Sequence, residues 1–181
     1  MPAESTLFIT PEALLSHWQG HRRLTRRVID AFPDDQLFSF SVGGMRPFGA
    51  LAMEMITMAV PMVRGVVSGD WSTSGSRDPR PKQEVLRLWD EITEQLNSLW
   101  PQIPPQRFRE TLTAFGQYTG VVHDLILYVI DNEIHHRGQA TCTCVRYGLS
   151  RRHSTSAADV QRDACPDHAA PAMIRRRARQ R

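Results

Sequence analysis

The chain has 181 residues, of which 41% are hydrophobic and 23% charged, as is typical of one soluble globular domain with a sizeable core. The apolar stretches are interrupted by Glu54, Pro61 and Asp131, so none reaches the roughly 18 to 20 residues of a membrane span. The N-terminus does not resemble a secretory signal, and the three cysteines form no even disulfide set. We therefore expect a cytoplasmic protein without a membrane segment.

The positive charge is concentrated at the C-terminal end of the chain. Residues 151–181 contain 8 Arg/Lys and 3 Asp/Glu, whereas residues 1–150 contain 14 and 16. A basic patch on a folded domain would favour nucleic-acid binding, but a basic tail is weaker evidence. We therefore do not expect nucleic acid to be a main partner.

The first predicted helix begins at Thr10-Pro11-Glu12, which combines a capping threonine, a proline at the first helical position and an acid. It should end before Pro33. Its apolar face carries residues spaced by three and four, namely Leu14, Trp18, His21, Thr25, Val28 and Phe32. Its opposite face carries four arginines that we expect to be solvated, namely Arg22, Arg23, Arg26 and Arg27.

Three more helices follow in the prediction. The second runs from about Pro47 to Val67, is apolar nearly all round and should be central, with a kink at Pro61. The third runs from about Lys82 to Trp100, and residues 106–118 favour at most a short helical turn. The fourth runs from about Gly120 to Tyr147.

The fold class that these elements predict is all-α, a four-helix bundle over residues 1–149. No stretch shows the sustained alternation of a strand, so we expect no sheet. Residues 150–181 contain very few large apolar side chains, which predicts a disordered basic tail.

Glu54 is the only charged residue between Phe48 and Val63 on the second helix. An unpaired buried carboxylate is costly, so three states remain open. Glu54 is paired with a neighbouring helix, protonated, or bound to a metal ion.

The stretch "DNEIHHRGQ", residues 131–139, is rich in titratable side chains. If Leu125 and Val129 face the core, the helical spacing turns Asn132 and His136 the same way. These two lie one turn apart and can approach a single ion. A satisfied core histidine is the other interpretation of His136.

Gln139 continues the spacing of Asn132 and His136, whereas three other residues of that stretch are placed differently. Glu133 and Arg137 form an i, i+4 pair that we place on the outer side, and His135 stands at the edge. On the first helix, His21 is either a core histidine hydrogen-bonded across the bundle or, with His17, a rival i, i+4 metal site.

Three segments together resemble the DinB/YfiT-like family: "HWQGHRRLTRRVIDAFP" (17–33), "RPFGALAMEM" (46–55) and "DNEIHHRGQATC" (131–142). The resemblance covers residues 8–148 and implies a four-helix bundle of up-down-down-up topology, often a homodimer. It also implies a divalent metal, typically Zn²⁺ or Ni²⁺, held by one histidine from the second helix and two from an HxxxH on the last.

The family's ligand positions fall at Glu54, Asn132 and His136 of this chain, so two of the three histidines are replaced. A Glu/Asn/His set suits a harder ion, Mn²⁺ or Fe²⁺, better than a histidine triad does. His135 or His21 would be a candidate general base.

Three functions remain open from the sequence. The resemblance implies a metal-dependent hydrolase or a thiol-dependent transferase of a stress response, with a small-molecule substrate or a low-molecular-weight thiol. The second is a non-catalytic bundle in which Glu54, Asn132 and His136 form a buried hydrogen-bond network. The third is a nucleic-acid-associated stress protein that acts through its basic tail.

Overall fold

The computed structural model describes residues 9–73 and 75–146, with the backbone alone for residues 143–146. The long helices are α1 (Pro11–Ala31), α2 (Phe48–Ser68), α3 (Lys82–Leu99) and α4 (Val122–Arg146). Two 3₁₀ helices (Trp100–Gln102 and Pro105–Arg109) and two short strands, β1 (Thr111–Ala114) and β2 (Tyr118–Val121), lie between α3 and α4. The predicted mostly helical fold is confirmed, while the predicted tail at 150–181 lies outside the described residues.

Local sequence signals explain where the helices begin and end. Thr10 caps α1, because its Oγ1 accepts a hydrogen bond from the backbone N–H of Ala13 at 3.1 Å. Phe32 leaves the helical conformation directly before Pro33, as the residue before a proline usually does. Gly69 ends α2 with a φ of 78°, which is a conformation that glycine adopts without strain.

The helices pack so that α1 and α2 each contact both α3 and α4. α3 runs antiparallel to α1, because Gln19 Nε2 donates to Asn97 Oδ1 at 2.8 Å while Trp100 Nε1 donates to the carbonyl of Pro11 at 3.0 Å. These contacts agree with the direction of α3 relative to α1 in an up-down-down-up bundle.

The interior of the fold is organised around α2. Two clusters of buried apolar side chains, one containing Trp18 and Val63 and the other Phe48 and Trp89, both take residues from this helix. α2 is apolar and long enough to cross a membrane, but 72% of its most apolar window is buried inside the fold. Its composition is therefore that of a core helix, and Pro61 lies within it, buried.

The expectation of no sheet is wrong for the segment before α4. β1 and β2 form an antiparallel hairpin in which Thr111 faces Val121 and Ala114 faces Tyr118. Each strand has four residues, which is too short to show the alternation that identifies a strand. The helical turn that the sequence left open for residues 106–118 is present only at the start of this segment, at Pro105–Arg109.

Candidate functional site

Glu54 on α2 and His136 on α4 meet between the two helices. Nε2 of His136 lies 3.3 Å from Oε1 of Glu54, with 8% and 16% of the respective side chains exposed. The two helices run antiparallel here, since Met58 on α2 lies next to Asn132 on α4. The predicted approach of His136 to Glu54 is therefore found, and it pairs the carboxylate with a side chain of the neighbouring helix.

The ring of His136 is held from its other side by Gln139. Nδ1 of His136 lies 3.1 Å from Oε1 of Gln139, and a carbonyl oxygen can only accept. With this orientation of the amide, Nδ1 donates and Nε2 is left to face the Glu54 carboxylate. With the amide turned over, its NH₂ group donates to Nδ1, and the Nε2–H of His136 donates to Glu54 directly.

Arg46, in the loop before α2, forms an ion pair with the second oxygen of Glu54. Its guanidinium nitrogen lies 2.5 Å from Oε2 of Glu54, and the Arg46 side chain is 54% exposed. Partial burial raises the pKa of the Glu54 carboxyl, but hydrogen bonds from Arg46 and His136 outweigh burial, so the net shift is downward. Glu54 is thus a carboxylate and not a protonated acid at neutral pH.

Asn132 is half-buried one turn before His136, and its Nδ2 lies 3.9 Å from the sulfur of Met58. The side-chain amide can be turned so that its oxygen, not its nitrogen, points towards α2. His135, placed at the edge by the sequence pattern, is exposed, and its ring centroid lies 5.5 Å from that of His136.

The donors at this site fit a weakly held divalent ion. A carboxylate oxygen and an imidazole nitrogen 3.3 Å apart can both reach one ion at their usual distances of roughly 2.0–2.2 Å. In the described part of the chain, however, no group of three or more His, Cys, Asp and Glu side chains is close enough to bind a metal. A third protein ligand would have to be the weaker amide of Asn132.

A second polar cluster lies between α1 and α4. Glu133 was predicted to face outward, but only 2% of its side chain is exposed. Its Oε1 accepts from Thr25 Oγ1 at 2.7 Å, and its Oε2 accepts from Trp18 Nε1 at 3.2 Å. Oε2 also lies 3.6 Å from a guanidinium nitrogen of Arg22.

The prediction of a solvated arginine face is wrong for Arg22, which is 1% exposed. Its guanidinium lies 4.0 Å from the ring centroid of Trp89, and its Nε donates to Thr93 Oγ1 at 2.8 Å. Arg26 and Arg27 do lie at the surface of α1, where Arg26 pairs with Asp90 at 2.6 Å. Of the four arginines, Arg22 is therefore buried, Arg23 and Arg26 are half-buried and Arg27 is exposed, because their positions around α1 place them at different distances from the neighbouring helices.

Arg137 is likewise buried, in contrast to the predicted outer position, and it holds His21. One guanidinium nitrogen donates to Nδ1 of His21 at 3.0 Å, and another donates to Thr25 Oγ1 at 3.1 Å. The expectation that His21 is hydrogen-bonded across the bundle is therefore confirmed. Because arginine has no acceptor, His21 Nδ1 must accept, and the ring proton lies on Nε2.

This tautomer bears on both functional hypotheses for His21. The only lone pair of its neutral ring is engaged by Arg137, so it is poorly placed to act as a base or, with His17, as a metal ligand. His17 is exposed, and its ring packs edge-on to that of His21 with the centroids 4.5 Å apart.

A signal for the second cluster was present in the sequence. Two sets of residues on α4 have the spacing of a buried face. One is the set used for the metal hypothesis: Leu125, Val129, Asn132, His136 and Gln139. The other faces α1 and the core: Ile126, Ile130, Glu133, Arg137 and Ala140. A helix that packs against two neighbours needs two such buried faces.

His21 makes the stability of the protein depend on pH. Burial, together with the positive charge of Arg137 and the nearby His17, lowers the pKa of His21 from 6.5 to about 4. The unfolded chain therefore takes up a proton near pH 6.5 and the folded chain near pH 4. The stabilising contribution is complete above pH 6.5 and is lost as the pH falls from 6.5 to about 4.

We expect wild-type protein to lose on the order of 2 kcal/mol more stability between pH 7 and pH 4 than His21→Gln does. Glutamine keeps an acceptor for Arg137 but does not titrate. Urea unfolding at several pH values measures the difference. Parallel pH curves for the two proteins would contradict the assignment to His21.

These helices and contacts define a class of protein: a helical fold whose candidate site is built between its second and last long helices. The sequence model of the DinB family matches residues 1–159, and the chain belongs to this family. Among curated proteins, none shows significant sequence similarity to it.

Two crystal structures of DinB-like proteins resemble the fold. One, from Bacillus cereus ATCC 10987, has a TM-score of 0.62 at 19% identity and covers 80% of this chain and 97% of its own. The other, from Bacillus subtilis, has a TM-score of 0.64 at 14% identity and covers 76% of this chain and 94% of its own. At these identities the similarity establishes the fold alone.

Proposed function

We propose that this DinB-family four-helix bundle binds a divalent metal ion between α2 and α4. Glu54 and His136 supply the two main ligands, and Asn132 supplies a third, weaker one. The observation that carries the proposal is the orientation of His136, whose Nε2 faces Glu54 Oε1 at 3.3 Å while Nδ1 is engaged by Gln139. Metal-binding histidines are commonly oriented by such a second hydrogen bond.

The metal would act as a Lewis acid or activate a bound water or thiol. This chemistry suits a hydrolase or a thiol-dependent transferase that acts on a small molecule. His135 is the better-placed candidate base, because it is exposed beside the site, whereas His21 is engaged by Arg137. Family resemblance further supports a homodimer, and the odd set of three cysteines supports a cytoplasmic location. The near-neutral body of the chain argues against nucleic acid as a main partner.

The proposal is tested with full-length protein purified without a histidine tag. We expect Mn²⁺, Ni²⁺ or Zn²⁺ to raise the melting temperature of the wild type, because a ligand that binds the folded state stabilises it. His136→Ala should weaken binding at least tenfold, since even loss of a supporting residue weakens metal affinity about 10- to 100-fold.

His135→Ala is the matched control, because it removes the adjacent, exposed histidine. Its affinity for the metal should stay close to that of the wild type. The metal hypothesis is wrong if no ion stabilises the wild type, or if the two histidine variants behave alike in the titration.

A non-catalytic bundle is the second candidate, and the pairing of Glu54 favours it. Arg46 at 2.5 Å and His136 at 3.3 Å together satisfy both carboxylate oxygens. In this case the residues form a structural network. His136→Ala would then lower stability in the presence of chelator, and added metal would change neither protein.

A further inference from the structure

Arg46 lies where it can act on the candidate metal site without being part of a helix. It precedes Pro47 and α2, and its side chain is 54% exposed. Within the described part of the chain, Glu54 is the one carboxylate that lies within ion-pairing distance of it. The pair therefore joins an accessible cation to a carboxylate that is mostly shielded from water.

The two oxygens of Glu54 are divided between two elements. Oε2 forms an ion pair with the guanidinium of Arg46 at 2.5 Å, and Oε1 faces Nε2 of His136 at 3.3 Å. A cation held by Glu54 and His136 would share the carboxylate with Arg46. Two cations that compete for one carboxylate weaken each other's binding.

We propose that Arg46 is a tethered cation that competes with the metal for Glu54, and that the guanidinium released by metal binding anchors the carboxylate group of a small-molecule ligand. This inference rests on the proposed metal site and names the class of ligand that the site takes.

The charges at the site support a carboxylate as the small-molecule group that Arg46 binds. The charges of Glu54 and Arg46 cancel, so a bound divalent ion leaves the site with an excess of positive charge. Asn132 and Gln139 add no charge. An arginine freed from its carboxylate can bind another one through two parallel hydrogen bonds.

The experiment measures Mn²⁺ affinity by calorimetry for the wild type, Arg46→Met and Arg87→Met. Arg87 is the matched control because it is also exposed, at 56%, and paired with a carboxylate, that of Glu91. Each titration is run in sodium chloride and in sodium acetate at equal ionic strength, so that charge screening is constant. Melting temperatures without metal show that all three proteins are folded.

We expect Arg46→Met to bind Mn²⁺ about three- to tenfold more tightly than the wild type in chloride, the scale of an exposed ion pair and one nearby charge. Arg87→Met should leave the affinity unchanged. Acetate should tighten Mn²⁺ binding to the wild type and have no such effect on Arg46→Met.

The outcomes separate this inference from the metal proposal. If the wild type and Arg46→Met bind Mn²⁺ equally, the competition is refuted while the metal site stands. An effect of Arg87→Met as large as that of Arg46→Met, or an acetate effect that persists without Arg46, also overturns the inference. If no protein binds Mn²⁺, both proposals fail together, whereas binding by Arg46→Met alone supports the competition.

Discussion

Glu133→Ala is expected to lower the free energy of unfolding by about 3–5 kcal/mol, the usual effect of removing one partner from a buried ion pair. The Glu133 carboxylate lies among Arg22, Arg137 and Thr25 and is 2% exposed. Without it, two buried guanidinium groups lose their shared counter-charge. Equilibrium urea unfolding, with a check that the dependence on urea is unchanged, measures the loss.

Two further variants identify the cause. Glu133→Gln keeps the size of the side chain but removes its charge, so it should lose nearly as much stability as the alanine variant. Glu91→Ala removes the carboxylate of an exposed pair on α3 and should change stability by about 0.5 kcal/mol or less. A near-normal Glu133→Gln protein would show that packing, and not charge, explains the alanine result.

Trp18→Ala is expected to destabilise the protein by about 3–5 kcal/mol, because it empties a large site in the core. The Trp18 side chain is 0% exposed, and its ring packs edge-on to Trp100 with the centroids 6.1 Å apart. The indole also donates to Glu133, so the substitution affects both the apolar core and the polar cluster.

Trp18→Phe separates these two contributions. Phenylalanine fills most of the site but leaves Glu133 Oε2 without the indole donor, which should lower stability by about 1–3 kcal/mol. The same unfolding measurement applies. If Trp18→Phe lowered the free energy of unfolding as much as Trp18→Ala, or not at all, the hydrogen bond would not make the expected contribution to stability.

The metal hypothesis came from a single face of α4, and the structure shows why that was incomplete. Choosing Leu125 and Val129 as the buried residues brought Asn132 and His136 towards α2, and His136 does meet Glu54. The same choice placed Glu133 on the outside. It is buried because α1 covers the adjacent face, and the sequence of α4 contains no information on where α1 lies.

The hairpin was missed for a different reason. Its four-residue strands are held by pairing with each other and by the turn at Phe115 and Gly116, both of which have positive φ. Phe115 is an unusual residue for that conformation. Its ring packs on Trp71 with centroids 5.4 Å apart, a contact between segments far apart in the chain.

The sequence by itself determined the helices and one contact of the site. Capping at Thr10, the stop before Pro33 and the glycine after Ser68 set the helix ends through local backbone chemistry. The tertiary structure alone decided which polar residues are buried and which cation meets each carboxylate. Helical periodicity fixes the angle between side chains on one helix. Whether a side chain is buried depends on which neighbouring helices cover its face, and long-range packing decides that.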